Sequence, residues 1–210
     1  MREKIVPFRG IVNAQIPRAG LEWAGTRSFV FYPSDSMYAF DYLTQQPMTA
    51  LVGSRYPSPS GELMFGGGAL RNKSCVEDMG NADDSSWNPD TGRYLDGALN
   101  NYFGARMQAD VKRAWSGILG ISTDGKPWVG RAPEWISGRG SGDGETGEWV
   151  AAGYSGEGMA HCWLSGRAVA EMIGGNGAGA GGVPEVMSVG RERWAGTGVE
   201  DALVRLTHVF

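Results

Sequence analysis

Residues 149–175 read WVAAGYSGEGMAHCWLSGRAVAEMIGG, and the fold is read outward from them. Trp149 to Tyr154 forms a short apolar run of strand character, followed by a glycine turn. Apolar or small residues then recur at Met159, Cys162, Trp163, Gly166, Val169, Ala170 and Ile173. That is the spacing of one helical face, so the reading is a buried strand, a turn and a long helix. Ser155 is expected as the N-cap, with Glu157 in the first turn and Gly174 ending the helix in a left-handed conformation. Gly153, Gly156 and Gly158 remove the Cβ atoms that would keep a ligand from the turn's backbone N–H groups. The first N–H groups of a helix lack internal partners and carry the positive end of its dipole, so an electron-rich group has a seat here.

Upstream, the period changes from helical to alternating. Lys4 to Ile16 reads as a strand with a bulge at Gly10. Ser28 to Tyr32 and Met37 to Leu43 flank Pro33-Ser34-Asp35-Ser36 and read as a hairpin. Met48 to Tyr56 and Glu62 to Phe65 read as a second one, closed by Gly66-Gly67-Gly68. Arg71 to Thr91 is polar and reads as an exposed loop. Leu99, Tyr102, Phe103, Met107 and Val111 predict a helix over Asp96 to Ala114. Trp115 to Ser122 reads as a buried strand, Asp124-Gly125-Lys126-Pro127 as a tight turn, and Trp128 to Gly130 as a short strand. Beyond the long helix, GGNGAGAGG at 174–182 is too poor in side chains to pack and reads as a linker. Thr197 is the expected cap of a last helix, with Val199, Ala202, Leu203, Leu206 and Phe210 near one face.

The bulk properties narrow the function classes. The chain has 210 residues, a net charge of −4 and 41% hydrophobic residues. An acidic chain without a basic patch is a poor partner for nucleic acid or an anionic membrane surface. No apolar run approaches the length of a membrane span, and MREKIVPFRG lacks the apolar core of a signal peptide, which reads as a cytoplasmic chain. Two cysteines (Cys75 and Cys162) and two histidines offer no metal-ligand spacing.

Three motifs compete for the chemistry. Gly153-x-x-Gly156-x-Gly158 has the wrong glycine order for a dinucleotide fingerprint, and no acidic strand end follows it. Gly153-Tyr154-Ser155-Gly156-Glu157 approaches a nucleophile elbow, with Asp201 and His208 following in triad order. Its fifth residue is Glu157 where the elbow has glycine, so a serine hydrolase built on Ser155 ranks behind a helix-capping role. His161 and Cys162 are neighbours on a helix and point apart, which rules them out as a base–nucleophile pair. Cys162 lies on the apolar stripe and is expected in the core.

The order of elements carries a family signal. WSGILGISTDGKPWVGRAPE (115–134), followed by EWVAAGYSGEGMAHCWLSGRAVAEMI (148–173), resembles the C-terminal part of the FAD-dependent D-amino-acid oxidase-like oxidoreductases, which include glycine, sarcosine and glutamylputrescine oxidases. KIVPFRGIV resembles the strand that opens their substrate domain, and GELMFGGG its glycine-rich ending. The resemblance runs from about Lys4 to Ile173.

It implies an α+β fold: a mostly antiparallel sheet with helices, plus a C-terminal strand and helix belonging to the FAD-binding domain. The expected divisions are a sheet domain with one helix over 1–115 and flavin-facing elements over 116–173, and composition and spacing add a linker over 174–190 and a terminal helix over 191–210. It also implies noncovalent FAD, contacted by Ile118, Leu119, Gly156, Glu157, Gly158 and Met159. Arg9, Tyr32 and Tyr38 become candidate liners for a small amine or amino acid oxidised at a C–N bond. Ala160 stands where some of these oxidases carry lysine, and no cysteine between Trp115 and Asp124 offers a thioether link. No catalytic side chain is assigned. The family's ADP-binding glycine motif has no counterpart upstream of KIVPFRG, so the expectation includes a missing N-terminal half. The alternative is a catalytically silent fragment or binding module.

Overall fold

The computed structural model describes residues 1–17, 26–32, 40–47, 61–68, 77–104, 107–138, 147–175 and 182–207. Tyr38, Cys75, His208 and the expected strand Met48 to Tyr56 lie outside them. The fold is α+β with a mostly antiparallel sheet, as expected. Contacts divide the chain into two compact units. The first contains Met1–Phe8 and Leu119–His208, and the second contains Arg9–Ile118.

Most of a five-stranded sheet, of order β2-β3-β4-β1-β5, lies in the second unit. The sheet's strands are β1 (Ile5–Pro17), β2 (Ser28–Phe31), β3 (Asp41–Gln45), β4 (Leu63–Gly66) and β5 (Ala109–Ser122). Strands β2 and β3 pair antiparallel, as expected of this stretch, with Phe29 opposite Leu43; β3 begins at Asp41 where the expected strand began at Met37, and the expected turn Pro33–Ser36 lies outside the described residues. Strand β4 pairs antiparallel with both β3 and β1, placing Phe65 opposite Leu43 and Asn13. Along β1 the buried set passes from Val6 and Phe8 to Ile11, Asn13 and Gln15. This change of phase falls at Arg9–Gly10, where the chain passes from one unit to the other.

Helix α1 (Pro89–Phe103) starts earlier than its apolar spacing predicts. Asn88 accepts from the N–H groups of Asp90 and Thr91, and Pro89 opens the first turn, where its missing N–H costs nothing. Leu95, Ala98 and Leu99 form the buried i, i+3, i+4 face, which packs with Ile11, Leu43, Leu63, Phe65 and Met107 as the unit's core. The helix stops at Gly104, whose φ of 75° lies where only glycine sits at little cost. The helical spacing of Met107 and Val111 was therefore fortuitous: residues from Ala109 onward are extended. Trp115 to Ser122 does form strand, but Trp115, Ile118 and Leu119 are exposed instead of buried.

The first unit holds a two-stranded antiparallel sheet of β6 (Trp128–Arg131) and β7 (Trp149–Ala152), with Val129 opposite Ala151. Glu134–Ser137 forms a single helical turn, α2. The long helix α3 (Gly158–Ile173) packs on β6 and β7. After the glycine-rich run come a 3-10 turn (Glu185–Met187), α4 (Arg191–Ala195) and α5 (Val199–Thr207). Trp194 of α4 meets the rings of Trp128 and Trp135 edge-on, at centroid distances of 5.8 and 5.3 Å. The buried Lys4 ammonium donates to the carbonyls of Trp194 (2.6 Å) and Thr197, so the residue before β1 is tied to α4 and the turn that follows it. Thr197 does not cap α5; its hydroxyl donates back to the Arg193 carbonyl. Asp201 instead accepts from the Gly198 N–H, which holds the start of that helix.

Candidate functional site

The turn between β7 and α3 is wound tightly. Gly153, Ser155 and Gly156 have φ of 77°, 54° and 94°. Three positive values in four residues reverse the chain sharply, and a non-glycine residue at Ser155 is held there against its preference. Hydrogen bonds from the end of β5 supply the hold. The Ser155 N–H donates to the Gly120 carbonyl at 3.0 Å. Its hydroxyl accepts from the Ser122 N–H at 3.0 Å and donates to the Gly153 carbonyl. The Glu157 N–H closes the turn onto the Tyr154 carbonyl at 2.9 Å.

These contacts correct the expected cap. Ser155 lies outside the helix, and Glu157 is the N-cap without a side-chain cap bond. The Glu157 carboxylate instead lies 3.5 Å from His161 Nε2, one turn on. The expected left-handed ending also moves by one residue: Gly174 has φ −76°, and Gly175 has φ 69°.

The two glycines at the turn do different work. A Cβ on Gly153 would meet Ile5 at 3.1 Å and Ser122 Cβ at 3.4 Å, so both packing and conformation require glycine there. A Cβ on Gly156 would meet nothing within 4 Å. Its glycine serves the backbone alone and leaves an open face beside the helix N-terminus. Gly158 and Met159, the first residues of α3, have N–H groups without carbonyls one turn back. Above them the Met159 side chain is 99% exposed and Trp163 81% exposed.

The apolar stripe of α3 therefore faces outward. Its buried residues are Ser165 and Ala168, small enough to let the helix approach the β6–β7 sheet closely. Cys162 is exposed, which overturns its expected place in the core. Helical spacing identified the stripe correctly but not the side that the sheet covers.

Leu119, Gly156, Glu157, Gly158 and Met159 all belong to the first unit, whereas Ile118, Arg9 and Tyr32 belong to the second. Leu119, Gly156, Glu157 and Met159 are exposed. Arg9 is largely buried and committed: Nε and Nη2 each reach Asp78 Oδ1 at 2.8 Å, and Nη1 faces Ser86 Oγ and the Asp83 carbonyl. Tyr32 is exposed, with its ring 6.1 Å from that of Phe40.

Sequence reasoning missed the support behind the turn. Ser122 donates through its hydroxyl to Asp124 Oδ1 at 2.9 Å, and Arg193 grips the same carboxylate. Burial alone would raise the Asp124 pKa. Hydrogen bonds from Arg193, the Lys126 N–H and Ser122, with the Arg193 charge, outweigh burial and hold it at about 2. The Asp-Gly turn chemistry was visible in the sequence; its partner, 69 residues away, was not. Among the described residues no cluster of His, Cys, Asp and Glu could hold a metal ion. Among the described residues no helix is long and apolar enough to cross a membrane.

This strand–turn–helix lies inside a family match. The FAD dependent oxidoreductase (DAO) family model matches residues 2–172. The chain belongs to the FAD-dependent oxidoreductase family. No curated protein matches the chain. FAD is the cofactor of this oxidoreductase family, and the turn suits one part of it. A flat ring can approach the open face at Gly156, and a partial negative charge on its edge would meet the N–H groups at the start of α3. The family match ends at Met172, so α4 and α5 of this FAD-dependent oxidoreductase lie beyond it.

Proposed function

We propose that this chain serves the oxidation of a C–N bond in a small amine or amino acid, with noncovalent FAD as hydride acceptor. The observation that carries the reading is the turn 153–158: three left-handed residues bring bare backbone to the positive end of a 16-residue helix. FAD supplies the redox chemistry when bound, taking up two electrons and a proton as hydride. The protein's share is to seat and orient the ring.

In this reading the N–H groups of Gly158 and Met159, with the helix dipole, favour negative charge on the ring's edge. Leu119 and the Met159 side chain offer apolar surface to the ring, and Glu157 flanks it. Ile118 and Tyr32 belong to the other unit, and the flavin-side and substrate-side roles proposed for them come from the family resemblance. Arg9 stays paired with Asp78. Ala160 supplies no ammonium, so no lysine acts at that position.

The test is to equilibrate the purified chain with FAD and follow the flavin's visible spectrum. A panel of primary and secondary amines and amino acids is then added without oxygen. Bleaching of a bound flavin by one of these classes supports the reading. A chain that retains no flavin, or a bound flavin that only other substrate classes bleach, overturns it.

A further inference from the structure

We infer that Arg193, in the segment beyond the family match, is a positioning residue for the glycine turn. It acts through Asp124, Ser122 and Ser155, and the inference rests on reading that turn as the flavin seat. A guanidinium has five N–H donors in a rigid fork, and here every one has an acceptor. Nε and Nη2 hold the two Asp124 oxygens at 2.8 and 2.9 Å. Nη2 also reaches the Lys126 carbonyl at 2.7 Å, and Nη1 reaches those of Pro127 and Ser188 at 3.0 and 3.2 Å. The guanidinium lies 3.7 Å from the centroid of the Trp128 ring.

From Asp124 the contacts run one way. The Ser122 hydroxyl donates to Asp124 and accepts from Trp128 Nε1 at 3.0 Å, so both its position and its proton are fixed. The Ser122 N–H then donates to the Ser155 hydroxyl. Ser155 is the one non-glycine residue of the turn in the left-handed region. It is the residue that most needs an external hold, and it receives one from each side: Ser122 at its hydroxyl and the Gly120 carbonyl at its N–H. A strained turn keeps its geometry only when its surroundings over-determine it. The anchor of this chain of contacts is a buried ion pair whose cation comes from α4, a five-residue helix outside the family match.

The test measures amide hydrogen exchange in the full chain for Arg193→Lys, Ser155→Ala and the double variant. Lysine keeps the charge but cannot form the two-point fork. Arg193→Lys is expected to speed exchange of the Ser155 and Glu157 amides about tenfold, while Val150 and Gly130 in the β6–β7 ladder and Leu43 in the other unit stay unchanged. In the double variant the two effects should overlap instead of multiplying, because both break one path. Asp124→Asn serves as a second route should Arg193→Lys fail to fold. Multiplying effects, or loosening spread evenly through β6 and β7, would overturn the inference. Flavin binding is scored separately by fluorescence. An unliganded wild-type chain with overlapping exchange effects would sink the flavin reading while leaving the positioning role intact.

Discussion

Arg193 and Asp124 meet in a two-point fork, Nε to Oδ2 at 2.8 Å and Nη2 to Oδ1 at 2.9 Å, with both side chains almost wholly buried. Breaking a buried pair by removing one partner strands the other charge. Arg193→Met is therefore expected to destabilise the chain by about 3–5 kcal/mol, read as a lower urea midpoint.

The same pair predicts a pH dependence. The folded Asp124 pKa of about 2 lies below the ordinary carboxylate value near ~3.9. A depressed folded pKa gives stability that is present above the unfolded value and lost as pH falls through the folded one. The stability difference between wild type and Asp124→Asn should hold steady above about pH 5 and shrink toward about pH 2. Urea melts at several pH values check this. A difference that grows on acidification contradicts it.

Gly153→Ala and Gly156→Ala separate packing from conformation. Both place an alanine at positive φ, which costs about 1–2 kcal/mol. Only at Gly153 does the new methyl also press on Ile5 and Ser122. Gly153→Ala should therefore be the more destabilising of the two in chemical denaturation, by at least about 1 kcal/mol.

How legible all this was depended on how local the cause was. The β2–β3 pairing and the strand–turn–helix at 149–173 could be read because neighbouring residues determine them. The end of α1 was misread because Met107 and Val111 happen to continue the spacing of Leu99 and Phe103, while Gly104 breaks the backbone between them. Its true start was signalled by Asn88-Pro89, a cap followed by a proline, inside a stretch whose polarity reads as loop. For α3, periodicity locates an apolar face but cannot say which face a sheet will cover. The buried side is made of Ser165 and Ala168, which hydrophobic spacing ignores. Arg193 lay beyond reach because an ion pair across 69 residues leaves no local pattern.

The core of the second unit gives a simpler expectation. Leu95 is fully buried where α1 meets the sheet, so Leu95→Ala removes methyl groups and leaves a cavity. A loss of about 2–5 kcal/mol should appear as a lowered melting temperature.

Met159 should behave in the opposite way. Its side chain is almost wholly exposed, so Met159→Ala should change stability by less than about 0.5 kcal/mol. If it meets the flavin, the same variant should weaken flavin retention, measured by fluorescence titration. Equal flavin affinity in the variant and the wild type would remove Met159 from the contact set.

The most direct test of the flavin seat is an amide chemical-shift titration of the full chain with FAD, repeated with lumiflavin, which carries the ring alone. Shifts centred on Leu119, Gly156, Gly158 and Met159 with both ligands are the predicted result. Shifts centred elsewhere, or none at this turn with either ligand, would contradict it.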